Sequence, residues 1–224
     1  MSSSSNLLGK INASKAALEF VENNSILGIG SGSTAKEFIK LLAERVKKEK
    51  LNIKCIPTSF DTRIYALGLG LKIAEPDEVE RIDLTVDGAD VATKVGVLKG
   101  GGGALTREKV VAYAAKKFIV IADESKIKPK LEGKVVVEVV PFAHSTVMRF
   151  LKTFTNKVTY RASDGKLGPI ITDNGNFLLD CEMLVKDPKK TEAELKNYPG
   201  VVENGIFTKF DKIIIGGKDG AREL

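Results

Sequence analysis

Short, mainly apolar runs alternate with amphipathic segments through the first half of the chain. Residues 25–30, 82–86 and 118–122 form such runs, and residues 34–48 carry their apolar side chains at helical spacing. A strand that is covered on both faces is mainly apolar, whereas a strand with one solvent-facing side alternates. Strands that alternate with helices form βαβ units, in which the strands are parallel. We therefore expect a doubly wound, Rossmann-like α/β fold with a mostly parallel sheet.

The same patterns predict the individual elements. The predicted helices are residues 10–22, 34–48, 60–69, 104–116, 144–154 and 188–196. The predicted strands are 25–30, 52–56, 71–74, 82–86, 118–122, 135–140, 157–161, 170–172, 177–181, 201–202 and 212–215, with a short hairpin after residue 90. The closing strand has the doubly buried character of the first half, so we expect it to return to the large sheet.

The chain is expected to form two domains. A stretch rich in Lys and Pro at 126–130 separates the first half from a region with the order β-α-β, β, β-α-β. That order is typical of a small, ferredoxin-like α+β domain of the split-βαβ type. We predict a large α/β domain over residues 1–129 plus 207–224, and a small α+β domain over 130–206.

Composition excludes several classes of function. The 224 residues are 43% hydrophobic and 29% charged, which is typical of a folded globular protein. The single histidine, His144, excludes zinc sites built on His pairs and argues against a His-centred triad. Trp is absent and aromatics are 6%, so we expect no nucleic-acid partner. The net charge of +6 mildly favours small anionic ligands.

Location is predicted from what the sequence lacks. No uncharged apolar run approaches the length of about 18 residues that a membrane span needs, so no membrane partner is expected. Residues 1–6 show neither a basic nor an apolar leader region, so we expect no signal peptide. Cys55 and Cys181 lie far apart without a CxxC motif and are expected to be buried thiols of a cytoplasmic protein.

A loop rich in Gly and Ser follows the first strand. Residues 28–35 read Gly-Ile-Gly-Ser-Gly-Ser-Thr-Ala, and a helix begins next. Glycines allow close approach of the backbone, and the helix N-terminus attracts an anion. The spacing also fits a dinucleotide fingerprint, but no acidic residue ends the second strand, so a phosphate of a small molecule is favoured over NAD or ATP. The alternative is a tight turn with Ser33 or Thr34 as the helix cap.

Two carboxylates follow the strand at 82–86. Asp87 and Asp90 lie three residues apart in Asp-Gly-Ala-Asp. At the carboxyl end of a strand such a pair can hold sugar hydroxyls, orient a base or bind a divalent metal. The alternative is an Asx turn that ends the strand.

Four consecutive glycines precede another helix. Lys99 begins the stretch and Glu108 lies in the first helical turn. Such a loop can form a backbone nest for an anion. Glu108 alone could simply complement the helix dipole. Weaker candidates are Lys126, which could reach a phosphate, and the hydroxyls at 58–59; we expect no catalytic role for His144.

Together these motifs resemble those of ribose-5-phosphate isomerases of type A. The resemblance covers nearly the whole chain and lies in GIGSGSTA at 28–35, TSF at 58–60, DGAD at 87–90, KGGGGALTREK at 99–109, DESK at 123–126, TDNGN at 172–176 and GVVENGIF at 200–207. The chain departs from the family pattern at Ser31 and Val91. The resemblance implies an enzyme that interconverts D-ribose 5-phosphate and D-ribulose 5-phosphate through an enediol(ate), in the non-oxidative pentose phosphate pathway.

The resemblance also implies roles for particular residues. Glu108 would be the general base, Asp87 would assist ring opening or proton transfer at the sugar oxygens, and Asp90 would hold sugar hydroxyls. Lys99 would stabilise the developing oxyanion. The expected contacts to substrate oxygens and phosphate come from Ser31, Gly32, Ser33, Thr34, Asp87, Asp90, Lys99, Gly100, Gly101, Gly102 and Lys126, with Lys10 as a further candidate.

No cofactor and no metal are expected, because this chemistry needs only a carboxylate base of suitably raised pKa. The expected partners are a small sugar phosphate and further copies of the chain, as a homodimer or homotetramer formed through the small domain. Three alternatives stay open from the residues: a non-catalytic sugar-phosphate sensor, an amino-sugar-phosphate deaminase and a purely structural α/β protein. A sensor of this type would need a helix-turn-helix, and the first 25 residues hold only one predicted helix. A deaminase site usually includes histidine, and this chain has only His144. The clustering of motifs at strand ends argues against a purely structural protein.

Overall fold

The computed structural model describes residues 3–224. The expectation about a leader peptide falls partly on residues 1 and 2, which lie outside the described residues. The helices are α1 (Ser3–Leu18), α2 (Ser33–Glu49), α3 (Phe60–Gly68), α4 (Leu105–Ala114), α5 (His144–Leu151) and α6 (Pro188–Lys196). The strands are β1 (Ile26–Ile29), β2 (Lys54–Pro57), β3 (Leu84–Gly88), β4 (Val91–Thr93), β5 (Gly96–Leu98), β6 (Phe118–Asp123), β7 (Glu132–Val139), β8 (Val158–Tyr160), β9 (Phe177–Leu184), β10 (Val201–Asn204), β11 (Ile206–Phe207), β12 (Lys212–Gly216) and β13 (Ala221–Glu223).

The chain divides into two units. The first contains the described residues up to Ala89 together with Arg107–Ile127 and Lys209–Leu224. The second contains Asp90–Thr106 and Lys128–Thr208. Residues 90–106, 128–129 and 207–208, which the sequence placed in the larger domain, therefore group with the second unit. The reason is that β5 pairs with β4 and β11 in a small antiparallel sheet.

The first unit is built on a six-stranded sheet. Its strand order is β13-β12-β6-β3-β1-β2. Every neighbouring pair is parallel except β12 with β13. The prediction that the last long strand returns to this sheet is confirmed, because β12 pairs with β6. The chain crosses from β2 on one side of β1 to β3 on the other, so the carboxyl ends of β1 and β3 flank a topological switch point, where open α/β sheets bind ligands.

Alternate residues of β1 show that helices cover both faces of this sheet. Leu27 and Ile29 are buried in one cluster with residues of α1 and α2. Gly28 faces the opposite side, where an added Cβ would lie 2.4 Å from Cγ1 of Val111 in α4. Side chains two apart in a strand share a face, so this alternation assigns α1 and α2 to one face and α4 to the other. The predicted doubly wound arrangement is confirmed.

The second unit has the predicted ferredoxin-like order. Its elements follow one another as β7-α5-β8-β9-α6-β10, and the antiparallel sheet has the order β10-β7-β9-β8. The apolar residues that face the two helices form one buried cluster, which includes Val137, Leu151, Leu179 and Leu195. This arrangement matches the split-βαβ pattern inferred from the sequence.

Two predicted strands are wrong. Residues 71–74 make only an isolated bridge between Ile73 and Cys55, because the segment touches the edge strand β2 through two backbone hydrogen bonds before turning away. Residues 170–172 form a loop that leads from Pro169 into the tight turn at 172–176. The very short strands β11 and β13 have no periodicity long enough to be recognised.

The first helix also differs from its prediction. α1 starts at Ser3 rather than residue 10 and ends at Leu18 rather than residue 22. Residues 19–21 tighten into i→i−3 hydrogen bonds, as helix ends often do. The apolar side chains that continue the helical spacing therefore belong to a terminal turn.

Asp83 anchors the entry to the central strands. Its Oδ2 accepts a hydrogen bond from the N–H of Ile26 (3.0 Å), and its Oδ1 accepts from Arg81 (2.8 Å) and Lys116 (3.1 Å). Burial acts to raise the pKa of this carboxyl, but the three hydrogen bonds and the charge of Arg81 together hold the pKa below its ordinary value. The carboxylate form is therefore the one that the fold stabilises.

The two cysteines are buried free thiols, as expected. Burial raises the pKa of the Cys55 thiol to about 12. Burial, followed by the nearby charges of Asp180 and Glu182, raises the pKa of Cys181 to about 12 as well. Across residues 3–224, no helix combines the length and apolar character needed to cross a bilayer.

Candidate active site

The predicted anion-binding loop follows β1 at the carboxyl edge of the six-stranded sheet. α2 begins at Ser33 directly after Gly32, whose φ of 97° lies in the region that favours glycine. Gly32 has no side chain to cap the helix, so the cap residue leaves the first N–H groups of α2 available to an anion. Lys10 of α1 donates a hydrogen bond from Nζ to Ser33 Oγ (2.9 Å). The first unit thus brings a cation, an exposed hydroxyl and a helix N-terminus to one place.

Thr34 and Ser31 sit differently in the same loop. Thr34 is buried, with its Cβ about 3.6 Å from where a Cβ on Gly88 would lie. The hydroxyl of Ser31 forms hydrogen bonds with Thr58 Oγ1 (2.9 Å), Ser59 Oγ (2.8 Å) and Thr62 Oγ1 (3.0 Å). A hydroxyl offers one donor and two acceptor positions, so these contacts use its full capacity. Within the protein, the Ser31 side chain ties the loop to the start of α3.

Asp87 is fully buried beneath this loop. Its Oδ1 accepts hydrogen bonds from the N–H groups of Ser31 (3.2 Å) and Gly88 (2.7 Å). A Cβ on Gly30 would lie 1.9 Å from Oδ1 and 2.0 Å from Cγ of the carboxyl group. Gly30 is therefore required so that the loop can pass over the carboxylate.

Glu108 lies on the face of α4 that packs on the sheet. It is only 4% exposed, and it precedes Val111, the residue that contacts β1 and β3, by three positions. Residues three apart share a helix face and differ by about 4.5 Å along the axis. The C-terminal end of α4 lies beside Ile82, before β3 begins, so this step from Val111 to Glu108 leads towards the carboxyl edge.

Asp87 is at a similar height on the same side of the sheet. Thr85 donates a hydrogen bond to the carbonyl of Val111 (3.3 Å), which shows that Thr85 faces α4. Asp87 is two residues further along β3, so it shares that face and lies about 6–7 Å closer to the carboxyl end. The fold of the first unit therefore brings the two predicted carboxylates, Asp87 and Glu108, to the same level of the sheet.

Lys126 lies in a short 3-10 turn after β6. Asp123 caps the turn by accepting a hydrogen bond from the N–H of Ser125 (3.0 Å). β6 is next to β3, so this turn is also at the carboxyl edge of the sheet. Lys126 is partly buried, and the structure of residues 3–224 gives it no ion pair or hydrogen bond.

Lys99 belongs to the second unit and is 3% exposed. Its N–H donates to the carbonyl of Gly205 (2.8 Å), and its ammonium lies 5.6 Å from the centroid of the Phe207 ring. Gly205 allows this approach, since a Cβ there would lie 2.2 Å from the carbonyl oxygen of Lys99. The second unit therefore holds the side chain of Lys99 in a defined place. Lys99 is the cation that directly precedes the four glycines.

The four glycines after Lys99 form a hydrogen-bonded loop. Asp90, an exposed residue, accepts a hydrogen bond at Oδ2 from the N–H of Gly101 (2.7 Å). Gly100 has a φ of 100°, and its carbonyl accepts from the N–H of Gly103 (3.0 Å). Gly102 is exposed, and an added Cβ there would meet open space. The predicted contact residues Asp90, Gly100 and Gly101 thus form one small structure within the second unit.

The described part of the chain holds one histidine and no cluster of side chains suited to a metal ion. Among these residues, no three His, Cys, Asp or Glu side chains are placed so that they could hold a metal ion. His144 starts α5, and its Nδ1 hydrogen-bonds to the hydroxyl of Tyr160.

Comparison with known proteins identifies the family. A family model described as ribose 5-phosphate isomerase A (phosphoriboisomerase A) matches residues 54–220. The chain belongs to this family. Ribose-5-phosphate isomerase A of Archaeoglobus fulgidus is 46% identical over 222 residues, which are 96% of this chain and 98% of that protein. The corresponding protein of Methanococcus aeolicus is 44% identical over 219 residues, 96% of this chain and 94% of its own.

Solved structures of the ribose 5-phosphate isomerase A family have the same fold. The structure from Methanocaldococcus jannaschii superposes with a TM-score of 0.92 at 42% identity, covering 96% of this chain and 97% of that one. A D-ribose-5-phosphate isomerase in complex with phospho-erythronic acid superposes with a TM-score of 0.93 at 41% identity, covering 96% of each chain.

Sequence reasoning missed several polar side chains around the family motifs. Thr62 joins the Ser31 hydroxyl cluster and donates to the carbonyl of Gly30 (3.0 Å). Arg161 donates to two carbonyls of the glycine-rich loop. Glu138 is fully buried and accepts four hydrogen bonds, from Thr106, Thr172, Asn174 and Asn176. For Glu138 the sequence gave a partial signal, because three of its four donors lie in the TDNGN motif at 172–176. Nothing in the sequence identified Glu138 as the residue that this motif contacts.

Proposed function

We propose that this chain interconverts D-ribose 5-phosphate and D-ribulose 5-phosphate through an enediol(ate), with Glu108 as the general base. The observation that carries the proposal is the placement of the buried Glu108 and Asp87 at one level of the sheet, beside an anion-binding loop, in a member of this family. The reaction belongs to the non-oxidative pentose phosphate pathway.

Glu108 would carry the proton between two adjacent carbons. Its carboxylate removes the proton from C2 of the open-chain aldose, and the electron pair moves to give the enediol(ate). Glu108 then returns a proton to C1, which yields the ketose. Asp87, held by the N–H groups of Ser31 and Gly88, would move the proton between the O1 and O2 oxygens.

The phosphate would bind at the start of α2. The N–H groups of the helix N-terminus, the Ser33 and Thr34 side chains and Lys10 supply donors and positive charge there. Lys126, at the same edge of the sheet, would add a second cation. The relative that was solved with phospho-erythronic acid supports this ligand class, because that compound carries both a phosphate and a planar carboxylate that resembles an enediolate.

Lys99 and Asp90 keep the roles that the resemblance implies. Lys99 would stabilise the oxyanion that develops during enolisation. Asp90 would hold sugar hydroxyls through Oδ1, since its Oδ2 accepts from Gly101. Lys99→Ala should mainly lower kcat, whereas Lys126→Ala should mainly raise KM; the reverse pattern would exchange their roles.

The test is ketose formation from D-ribose 5-phosphate in the presence of EDTA. Wild type should turn over, and Glu108→Gln should lose a factor of about 10²–10⁴ in kcat, the range typical of a lost general base. Glu44→Gln is the matched control, because Glu44 is an exposed carboxylate on α2. A wild type that binds the sugar phosphate without isomerising it would overturn the enzyme assignment, and near-normal turnover by Glu108→Gln would remove its role.

We also propose that the chain forms a homodimer or homotetramer through its second unit. Phe142 and Leu167 of that unit are 97% and 98% exposed, which is unusual for large apolar side chains. Light scattering during gel filtration measures the state directly, and a monomer at working concentration would contradict the proposal. The cytoplasmic location stays a prediction from the sequence.

A further inference from the structure

Arg161 connects the glycine-rich loop to the sheet of the second unit. Its Nη1 donates to the carbonyl oxygens of Gly100 (2.7 Å) and Gly101 (3.0 Å). Its Nε donates to both carboxylate oxygens of Asp180 (3.1 Å each), and its Nη2 pairs with the same carboxylate. The two side chains are 12% and 10% exposed. One guanidinium therefore bridges a fixed carboxylate and a loop that has no side chains of its own.

The base of this bridge is rigid. Asp180 lies in the middle of β9, which pairs along its length with β7. Both backbone polar groups of Arg161 are hydrogen-bonded. Its N–H donates to the carbonyl of Leu178 (3.0 Å), and its carbonyl accepts from the N–H of Ile170 (2.9 Å). The guanidinium is planar with donors in a fixed fork, so anchoring one edge on Asp180 determines the direction of the other.

The contacted carbonyls determine how the loop presents its N–H groups. Peptide units are planar and, in the described chain, all trans. The carbonyl of Gly100 shares a plane with the N–H of Gly101, which donates to Asp90. The carbonyl of Gly101 shares a plane with the N–H of Gly102. Holding the Gly101 carbonyl towards Arg161 therefore turns the Gly102 N–H in the opposite direction, away from the guanidinium.

Without such a contact, the loop would have wide conformational freedom. Consecutive glycines lose more backbone entropy on ordering than any other residues, so a unique loop conformation needs specific contacts. We infer that Arg161 is a positioning residue, which holds the Gly100–Gly101 carbonyls so that Lys99 and the Gly102 N–H keep one orientation towards an oxygen of the sugar phosphate. This inference rests on the proposed function and adds a residue outside every motif that carries the family resemblance.

The experiment compares Arg161→Ala with Arg161→Lys and with Arg149→Ala as matched control. Arg149 is an exposed arginine of α5 in the same unit. Arg161→Ala should lower kcat about 10- to 100-fold, the effect of misplacing a catalytic group by about 1 Å, with a smaller change in KM. Arg161→Lys should recover little, because the donors of an ammonium share one nitrogen, whereas the guanidinium reaches Asp180 and the two loop carbonyls from three separate nitrogens. Arg149→Ala should behave as wild type.

Chemical rescue separates positioning from a general loss of structure. Guanidinium ion at millimolar concentration, far below denaturing conditions, should refill the site in Arg161→Ala and raise kcat several-fold, with no effect on Arg149→Ala. An unchanged kcat in Arg161→Ala would overturn the inference. So would a loss that guanidinium does not reverse and that follows the fall in melting temperature. If the wild type itself fails to isomerise, the proposed function fails instead, and this outcome is visible before any variant is compared.

Discussion

Gly30→Ala should displace Asp87 and remove most of the activity. The new Cβ would lie 1.9 Å from Oδ1 of Asp87, so the carboxyl group must retreat by about 1.5 Å to reach an ordinary contact of 3.4 Å. That shift breaks the hydrogen bonds from Ser31 and Gly88 to the carboxylate. Overpacking costs about 1–3 kcal/mol, and lost charged hydrogen bonds add to it, so we expect a destabilisation of about 2–4 kcal/mol.

Thermal unfolding and turnover both measure this effect. For a chain of this size the destabilisation corresponds to a fall in Tm of roughly 4–16 °C. A displacement above 1 Å should lower kcat about 100-fold. The φ of Gly30 is outside the left-handed region, so backbone strain does not contribute. Gly68→Ala at the end of α3 is the control, because its Cβ would meet nothing and the change should be neutral or stabilising.

A double-mutant cycle identifies the clash itself. In an Asp87→Gly background, the alanine at position 30 has no carboxylate to displace, so its cost should fall below about 0.5 kcal/mol. An equal cost in both backgrounds, or wild-type turnover by Gly30→Ala, would refute the reasoning that Gly30 exists to accommodate Asp87.

The remaining predictions concern buried and partly buried groups outside the two glycine-rich loops. Glu138→Gln should destabilise the protein by about 2–4 kcal/mol in thermal unfolding, because four donors converge on that buried carboxylate; an unchanged Tm would contradict this. Asp83→Asn should lower stability at neutral pH. Because its folded pKa is lowered, the difference from wild type should be complete above the unfolded pKa and vanish as pH falls through the folded pKa; urea titrations that show no such convergence would exclude the assignment. Cys55 and Cys181, with pKa values raised to about 12, should react with a thiol reagent only after unfolding.

The sequence predicted the order of the elements because burial leaves a periodic signal. The doubly buried strands and the two β-α-β units of the small domain needed only local patterns, and both appear in the structure, whereas the single strand predicted between those units does not. The two strands wrongly predicted, at 71–74 and 170–172, are short apolar segments next to turns. The first makes a single β-bridge and the second forms a loop. Local patterns alone cannot distinguish those cases.

The candidate site was predictable only in its motifs. The residues that hold those motifs come from distant parts of the chain: Thr62 contacts Ser31, and Arg161 contacts Gly100. Each of these is a common polar residue in an unremarkable local sequence. Its role depends on strand register and on the path of the chain, because these determine which residues come into contact. A single sequence does not reveal either.

Deuterium exchange tests the central claim, that Glu108 moves a proton between C2 and C1. In D2O with EDTA, the carboxyl proton that Glu108 takes from C2 exchanges with solvent in a share of turnovers before it is returned, so wild type should incorporate deuterium at C1 of the ketose, and NMR follows that signal directly. Glu108→Gln should bind phospho-erythronic acid as wild type does and show no exchange above background. Exchange at the wild-type rate in Glu108→Gln, with binding intact, would show that another group is the base and would contradict the account.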